Sequence, residues 1–264
     1  MTTRVLASTT SHKREPLAET LEAFARLGLR EIDLNLFPAI EGGVPIDAVE
    51  QGLAAHGLQV VVASGGWCDF FQTAPSAAAT TSSVDRQVAL ARRLGTGMLR
   101  LFFGRLLRAD YGEASHALIV SNLRQLSDRH PDMTFAFENH DGASLVPAIC
   151  GAVLEAVDRP NIRMTFDPIN FERAGVGAAA ALAAVRTFVA HVHLKGLDRG
   201  ALCEFGAGDV DLTGVLQSLV DSGYSGRFTV EYERPFDAMA HLYRGVEHAR
   251  RVLERLGAGA GGRP

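Results

Sequence analysis

The sequence predicts an α/β fold, specifically a single-domain (β/α)8 TIM barrel. Its 264 residues, 47% of them apolar, are enough for one such barrel, since these barrels commonly contain roughly 250 residues. Short apolar runs alternate with stretches of helical periodicity, and this alternation is the order that produces a parallel sheet. Because Pro and Gly residues are spread evenly along the chain, no internal domain boundary is expected.

The predicted strands are eight short apolar runs separated by helical patterns. Eight strand–helix units close into a barrel more naturally than they form an open sheet. In chain order the runs are Val5–Ala7, Ile32–Leu36, Gln59–Ala63, Met98–Phe103, Phe135–Phe137, Met164–Phe166, Val189–Leu194 and Phe228–Val230.

Two of the predicted helices show their periodicity most clearly. Apolar residues recur every three or four positions over 17–27 and over 84–94, and Gly28 and Gly95 follow where a C-cap is needed. The barrel is expected to cover residues 1–256. The remaining segment, 257–264, is rich in Gly and Ala and is predicted to be a flexible tail.

Charge and cysteine content exclude several classes of protein. The formal net charge of −4 gives no basic surface for nucleic acid. The first residues contain no sustained apolar stretch, so we expect neither a secretory signal nor a membrane span. The expected location is therefore cytoplasmic. Cys68, Cys150 and Cys203 are distant from one another, which disfavours a disulfide framework or zinc ribbon. The three cysteines are instead predicted to be small, buried hydrophobic residues. Homo-oligomerisation is left open.

Four polar residues stand at the ends of the last four predicted strands: Glu138, Asp167, His193 and Glu231. In a parallel barrel the C-terminal strand ends meet at one mouth, where such folds place their chemistry. A single carboxylate after a strand has an alternative role, because Asp and Glu often cap the helix that follows. The four together, at intervals that match successive βα units, favour a set of ligands for a divalent metal.

Several segments around these residues resemble the xylose isomerase-like superfamily, and within it the sugar phosphate isomerase/epimerase group. That group includes ketose 3-epimerases, hydroxypyruvate isomerases, inosose dehydratases and isomerases, and 3-dehydroshikimate dehydratases. The resemblance implies a barrel whose metal ligands are Glu138, Asp167, His193 and Glu231. The segments that carry it are Glu138-Asn139-His140, Asp167-Pro168-Ile169-Asn170, His191-Val192-His193-Leu194-Lys195, Gly206-Ala207-Gly208-Asp209-Val210-Asp211, and Gly223-Tyr224-Ser225-Gly226 leading into Glu231-Tyr232-Glu233.

The donor types indicate which metal the site would take. Three carboxylates and one imidazole without a thiolate suit Mn²⁺, with Mg²⁺ or Co²⁺ as alternatives, better than a structural zinc ion. We expect one ion per chain. Such an ion can chelate a carbonyl oxygen and the neighbouring hydroxyl of a sugar, and thereby stabilise the enediolate formed when a proton leaves the carbon between them.

The expected catalytic residues are Glu138, Glu231 and His140. The two glutamates end strands separated by two others, so one could remove a proton and the other return it. If the extended geometry persists beyond the strand, His140 points the same way as Glu138, and a neutral imidazole is a better base than a metal-bound carboxylate. The alternative for His140 is a role in orienting a ligand. His191 lies deeper and is expected to be a hydrogen-bonding partner.

Four further residues are candidates for substrate binding. Asn170 stands where many epimerases of the family have a His, and an amide suits a substrate hydroxyl but cannot act as a base. Lys195 could offset negative charge, or form a salt bridge with Glu231 or Glu233. Arg199 could bind substrate or be a solvated loop residue, and Trp67 could stack on a sugar or simply pack.

The second and third strands lack the His ligands that the endonuclease IV branch of the superfamily needs, so that branch is disfavoured.

The leading prediction is an isomerase or epimerase that acts on a small carbohydrate or other polyhydroxy-carbonyl compound. The alternative is a lyase of the same fold, which eliminates a group β to the ketone of an oxo-sugar, oxo-glycoside or cyclitol ketone. Such an enzyme would be a dehydratase or a C-glycoside lyase. Both reactions begin by removing a proton next to a carbonyl. A metal-free binding or regulatory barrel is the third hypothesis, and the intact ligand set disfavours it.

Overall fold

A computed structural model describes residues 4–12, 15–66, 74–234 and 237–257 of the chain. Its strands are β1 (Val5–Ala7), β2 (Glu31–Asn35), β3 (Gln59–Ser64), β4 (Met98–Phe102), β5 (Thr134–Glu138), β6 (Ile162–Phe166), β7 (Val189–Leu194), β8 (Gly196–Asp198), β9 (Ala201–Cys203) and β10 (Arg227–Val230). Its helices are α1 (Leu17–Arg26), α2 (Phe37–Ile40), α3 (Ile46–His56), α4 (Ala74–Arg93), α5 (Glu113–Arg129), α6 (Pro147–Val157), α7 (Pro168–Arg173), α8 (Ala178–Val185), α9 (Thr213–Asp221) and α10 (Ala238–Arg255).

Eight of these strands form one parallel barrel in the order β1-β10-β7-β6-β5-β4-β3-β2. A single parallel bridge between Ser8 and Asp33 joins the two ends of this order. Each of the eight predicted apolar runs overlaps one barrel strand, so the predicted fold class is confirmed. The other two strands, β8 and β9, form an antiparallel hairpin in the connection between β7 and α9.

The glycines predicted to end two helices do so. Gly28 follows α1 with φ 69°, and Gly95 follows α4 with φ 77°. These positive φ values are costly for residues with a Cβ but not for Gly. In both turns the next residue reaches back to close the helix: the N–H of Leu29 donates to the carbonyl of Phe24, and that of Thr96 to the carbonyl of Ala91.

The two sides of each barrel strand bury different kinds of residue. Phe135 and Phe137 of β5 belong to the apolar core between the strands and the helices, whereas Glu138 on the opposite side is buried with other polar groups. His191 of β7 contacts both neighbouring strands: its Nδ1 lies 3.2 Å from Thr165 Oγ1 and its Nε2 lies 2.7 Å from Thr229 Oγ1. The barrel therefore has a polar inner layer below its mouth. Within it His191 is a hydrogen-bonding partner, as predicted.

Two other expectations can be compared with the structure. Cys150 is buried and Cys203 is partly buried, and both are free thiols, while Cys68 lies outside the described residues. Burial raises the pKa of Cys150 to about 12, which keeps it a neutral thiol. Among the described residues there is no helix with the length and apolar character needed to cross a bilayer. Of the predicted tail, 258–264 lies outside the described residues.

Candidate metal centre

Four polar side chains converge at the C-terminal ends of adjacent barrel strands. Glu138 is the last residue of β5, Asp167 directly follows β6, His193 lies in β7, and Glu231 directly follows β10. These strands are neighbours in the order β5-β6-β7-β10. All four residues are buried, and one potential ligand atom from each lies within 4.8 Å of the others. The structure thus brings together the four residues that the sequence singled out.

The ring nitrogens of His193 face carboxylates on both sides. Nδ1 lies 3.4 Å from Glu138 Oε1 and 3.4 Å from Glu231 Oε2. Nε2 lies 3.5 Å from Oδ2 of Asp33, which belongs to β2 on the other side of the barrel. Nδ1 is therefore the nitrogen directed at the four-residue cluster.

Lys195 contributes a positive charge to the same cluster. Its Nζ lies 2.8 Å from Glu231 Oε2 and 3.0 Å from Asp167 Oδ2, and it also forms an ion pair with Glu233. The side chain is 2% exposed. The salt bridges considered for this residue are present, and its proposed contact with substrate stays a prediction.

The proximity of these charges shifts the pKa values of the cluster. Burial raises the pKa of Glu231, but the positive charges of Lys195 and His193 outweigh burial and lower it to about 2. Burial lowers the pKa of His193, but the carboxylates of Glu138 and Glu231 raise it to about 10. A cation that takes Nδ1 as a ligand must therefore displace a proton, so its binding should weaken as the pH falls.

Asp167 combines the two roles that the sequence left open for a carboxylate after a strand. Its Oδ1 accepts hydrogen bonds from the backbone N–H groups of Ile169 (2.9 Å) and Asn170 (3.0 Å), and so caps α7. Its Oδ2 is buried within the cluster. Helix capping thus fixes the orientation of the carboxylate and leaves the second oxygen directed at the site.

Two asparagines hold the ligands in place. The side chain of Asn139 accepts a hydrogen bond from the backbone N–H of Asp167 (2.9 Å) and donates one to its carbonyl (2.8 Å). The amide of Asn170 donates to Glu138 Oε1 (3.2 Å) and to the carbonyl of Asn139 (3.0 Å). The contacts of Asn170 are thus within the site, and its binding of a substrate hydroxyl stays a prediction.

The donor set fits a divalent cation. It offers three carboxylates and one imidazole, which are the ligands that Mn²⁺, Mg²⁺ and Co²⁺ accept. His193 Nδ1 is buried and has no hydrogen bond of normal geometry among the described residues, while Asp167 Oδ2 is buried and is paired with the Lys195 ammonium at 3.0 Å. Buried polar atoms without hydrogen bonds are rare in proteins and often mark the position of an ion. The buried cluster could therefore bind a divalent metal.

His140 lies just beyond the end of β5, and its side chain is 32% exposed. The strand ends at Glu138, so the alternation that placed both side chains on one face does not extend to His140. Its ring packs edge-on against Phe102, with the ring centroids 4.8 Å apart, and its Nδ1 lies 3.5 Å from Asp141 Oδ2. A partly exposed imidazole therefore lies two residues beyond Glu138 in the chain.

Arg100 and Asp33 are buried beside the cluster, and sequence reasoning gave neither of them a role in it. The Nε of Arg100, in β4, lies 3.5 Å from Glu138 Oε2. Asp33 is fully buried and faces His193. The signal that could have identified both is a charged residue between two apolar neighbours in the middle of a strand, since such a side chain needs a partner when it is buried.

The remaining predicted site residues lie elsewhere. Arg199 occupies the turn between β8 and β9, with φ 47°. Its side chain is 89% exposed and lies 3.6 Å from Asp198. The structure does not bring it to the cluster, and its binding of substrate stays a prediction. Trp67 lies outside the described residues.

Comparison with known families agrees with the barrel fold. The family model described as "Xylose isomerase-like TIM barrel" matches residues 21–256. The chain belongs to this family. A search of curated proteins finds no significant match.

Solved structures of the family superpose over nearly the whole chain. An L-ribulose 3-epimerase has a TM-score of 0.80 at 17% identity, with 98% of this chain and 99% of that chain covered. The "probable 3-DHS dehydratase AsbF" from Bacillus anthracis has a TM-score of 0.77 at 16% identity (93% and 97% covered). A xylose isomerase-like TIM barrel protein from Mycobacterium smegmatis in complex with magnesium has a TM-score of 0.76 at 18% identity (96% and 97% covered). These likenesses establish the fold.

Proposed function

We propose that this member of the xylose isomerase-like family is a metal-dependent enzyme that isomerises or epimerises a sugar or another polyhydroxy-carbonyl compound. The observation that carries the proposal is the convergence of Glu138, Asp167, His193 and Glu231 from four adjacent strands within 4.8 Å. Residues with perturbed pKa values in such a place are typical of functional sites. An L-ribulose 3-epimerase among the similar structures supports the choice of reaction.

The four residues would hold one divalent ion, with Mn²⁺ as the first choice and Mg²⁺ or Co²⁺ as alternatives. The similar protein in complex with magnesium supports a divalent ion in this fold. When bound, such an ion acts as a Lewis acid and stabilises the negative charge that develops when a proton leaves the carbon next to a carbonyl.

The protein itself supplies the proton transfer. Glu138 and Glu231 lie at the two ends of the four-strand arc, separated by β6 and β7, so they can approach a substrate from different sides. One removes the proton and the other returns one. Lys195 places its ammonium group beside Glu231 and Asp167 and would offset negative charge on the reacting substrate. The burial of all these groups excludes water and strengthens their electrostatic effect.

Elimination by a lyase of the same fold is the second candidate, and the position of His140 favours it. This imidazole is 32% exposed and lies two residues beyond Glu138 in the chain, whereas Glu138 and Glu231 are buried. If His140 is the base, His140→Ala should lose about 10²–10⁴ in kcat and keep its metal. If the carboxylates carry the proton, Glu231→Gln should lose turnover, while His140→Ala should mainly weaken substrate binding.

Proton exchange tests the proposal directly. Candidate ketoses and 3-oxo-sugars would be incubated in D₂O with the Mn²⁺-loaded protein and followed by NMR. We expect deuterium at the carbon next to the carbonyl, and expulsion of a group only if the enzyme is a lyase. Asp167→Ala should abolish exchange, whereas Glu155→Gln, which changes an exposed acid on α6, should not. Full exchange by chelated wild-type protein would refute metal dependence.

A further inference from the structure

The second ring nitrogen of His193 faces a carboxylate that the proposed function does not use. Nε2 lies 3.5 Å from Oδ2 of Asp33, and both side chains are fully buried. Neither atom has a hydrogen bond of normal geometry among the described residues. A buried charge needs a partner of opposite charge nearby, so the Asp33 carboxylate and a protonated Nε2 stabilise each other electrostatically across this distance.

Asp33 is held in this orientation by a chain of donors from the next two strands. The hydroxyl of Ser64, in β3, donates to Asp33 Oδ1 at 2.5 Å. Nε of Arg100, in β4, donates to the Ser64 hydroxyl oxygen at 3.2 Å. Because Oδ1 is engaged by Ser64, Oδ2 is the oxygen left to face His193. The fixed position of Asp33 thus comes from β2, β3 and β4, opposite the four strands of the cluster.

The consequence concerns which nitrogen of His193 can bind a cation. A neutral imidazole carries one N–H and one lone pair, and the partner of one nitrogen decides the state of the other. A carboxylate beside Nε2 stabilises the N–H at that position, so the proton that a cation displaces is the one on Nδ1. Nδ1 is the atom that lies 3.4 Å from both Glu138 and Glu231.

We propose that Asp33 is a positioning residue that holds the proton on Nε2 of His193 and thereby presents Nδ1 to a divalent cation. This proposal rests on the proposed metal-dependent function. Carboxylates that orient a ligating histidine typically contribute about 10- to 100-fold to metal affinity. A role of Asp33 confined to packing of the barrel would affect stability but not the state of the imidazole.

Two measurements on Asp33→Ala test the proposal. The first is the dissociation constant for Mn²⁺, measured by titration calorimetry, which should rise about 10- to 100-fold. The second is the Nε2–H proton of His193 in ¹⁵N-histidine-labelled protein, both chelated and Mg²⁺-loaded, assigned with His193→Gln. In the wild type this proton should resonate downfield and exchange slowly, and in Asp33→Ala it should be lost. If Asp33→Ala does not fold, the isosteric Asp33→Asn is measured in the same way.

Thr229→Val provides the matched control. Thr229 is fully buried and its hydroxyl contacts Nε2 of the neighbouring His191 at 2.7 Å, so neither measurement on His193 should change. In Asp33→Ala, a change in one measurement without the other overturns the proposal, as does no change in either. If wild-type protein binds no divalent cation, the proposed function itself fails, and that result is distinct from a failure confined to the Asp33 variants.

Discussion

The role of Asn139 leads to a prediction about stability. Its side chain is fully buried and makes two hydrogen bonds to the backbone of Asp167, at 2.9 Å to the N–H and at 2.8 Å to the carbonyl. Asp167 is fully buried as well, so water cannot replace these bonds. Asn139→Ala should therefore leave two buried backbone groups without partners, directly beside the metal cluster.

The expected magnitude follows from those two bonds. Each buried polar group that loses its partner costs about 1–3 kcal/mol, so Asn139→Ala should lower the free energy of unfolding by about 2–6 kcal/mol. For a domain of this size each kcal/mol corresponds to about 2–4 °C in the midpoint of thermal unfolding. Asn139→Asp keeps the shape and the acceptor, but it replaces the N–H donor by an oxygen that faces the carbonyl of Asp167, and should also destabilise the protein.

Urea unfolding in the presence of a chelator measures this effect without a contribution from bound metal. Asn122→Ala is the matched control. The amide nitrogen of Asn122, on α5, is buried and has no hydrogen-bond partner among the described residues, so its loss breaks no hydrogen bond of that nitrogen and should not lower the free energy of unfolding. If Asn139→Ala is as stable as Asn122→Ala, the hydrogen bonds to Asp167 do not stabilise the fold and the reasoning is wrong.

Three further changes have expected outcomes. A hydrogen bond from Arg244 lowers the pKa of Glu204 below its ordinary value of 4.5. The ionised Glu204 therefore stabilises the fold fully above pH 4.5, and this stabilisation is lost as the pH falls through the lowered pKa. In urea unfolding at several acidic pH values, the free energy of unfolding should fall less with decreasing pH for Glu204→Gln than for the wild type. An equal fall in the two proteins would contradict this prediction. Gly208 has φ 93°, and a Cβ there would overlap the carbonyl oxygen of Leu197, so Gly208→Ala should cost about 1–3 kcal/mol and lower the midpoint of thermal unfolding. Phe24 of α1 is fully buried, and Phe24→Ala should cost about 3–5 kcal/mol while Mn²⁺ affinity, measured by calorimetry below the unfolding transition, stays unchanged.

Most of the barrel could be predicted from the pattern of apolar residues. All eight runs correspond to strands, but several boundaries differ: β6 begins at Ile162 rather than Met164, and β2 covers Glu31–Asn35 rather than 32–36. The reason is that burial makes a run apolar, whereas a strand continues as far as its backbone hydrogen bonds, which polar residues such as Glu31 and Thr134 also make. The hairpin of β8 and β9 was not predicted, because its short strands carry no sustained alternation.

The candidate site also contains features that the sequence could predict and features that it could not. Glu138, Asp167, His193 and Glu231 could be selected from the sequence because parallel strands bring their C-terminal ends to one place, whatever the details of packing. The contact between Asp33 and His193 could not be selected, since β2 and β7 are distant in both sequence and strand order. Only closure of the barrel directs both side chains to the same interior.

The sequence by itself determined the fold class and the four strand-end residues of the cluster, because these follow from periodicity and strand order. It also indicated the family, through the resemblance of the segments around those residues. Tertiary structure decided which atom of each residue faces the site: Nδ1 rather than Nε2 of His193, and Oδ2 rather than Oδ1 of Asp167. It also decided that Lys195 lies among the carboxylates and that Arg199 does not. The physical reason is that side-chain orientation depends on partners from other strands and loops, and those partners become neighbours only when the barrel closes.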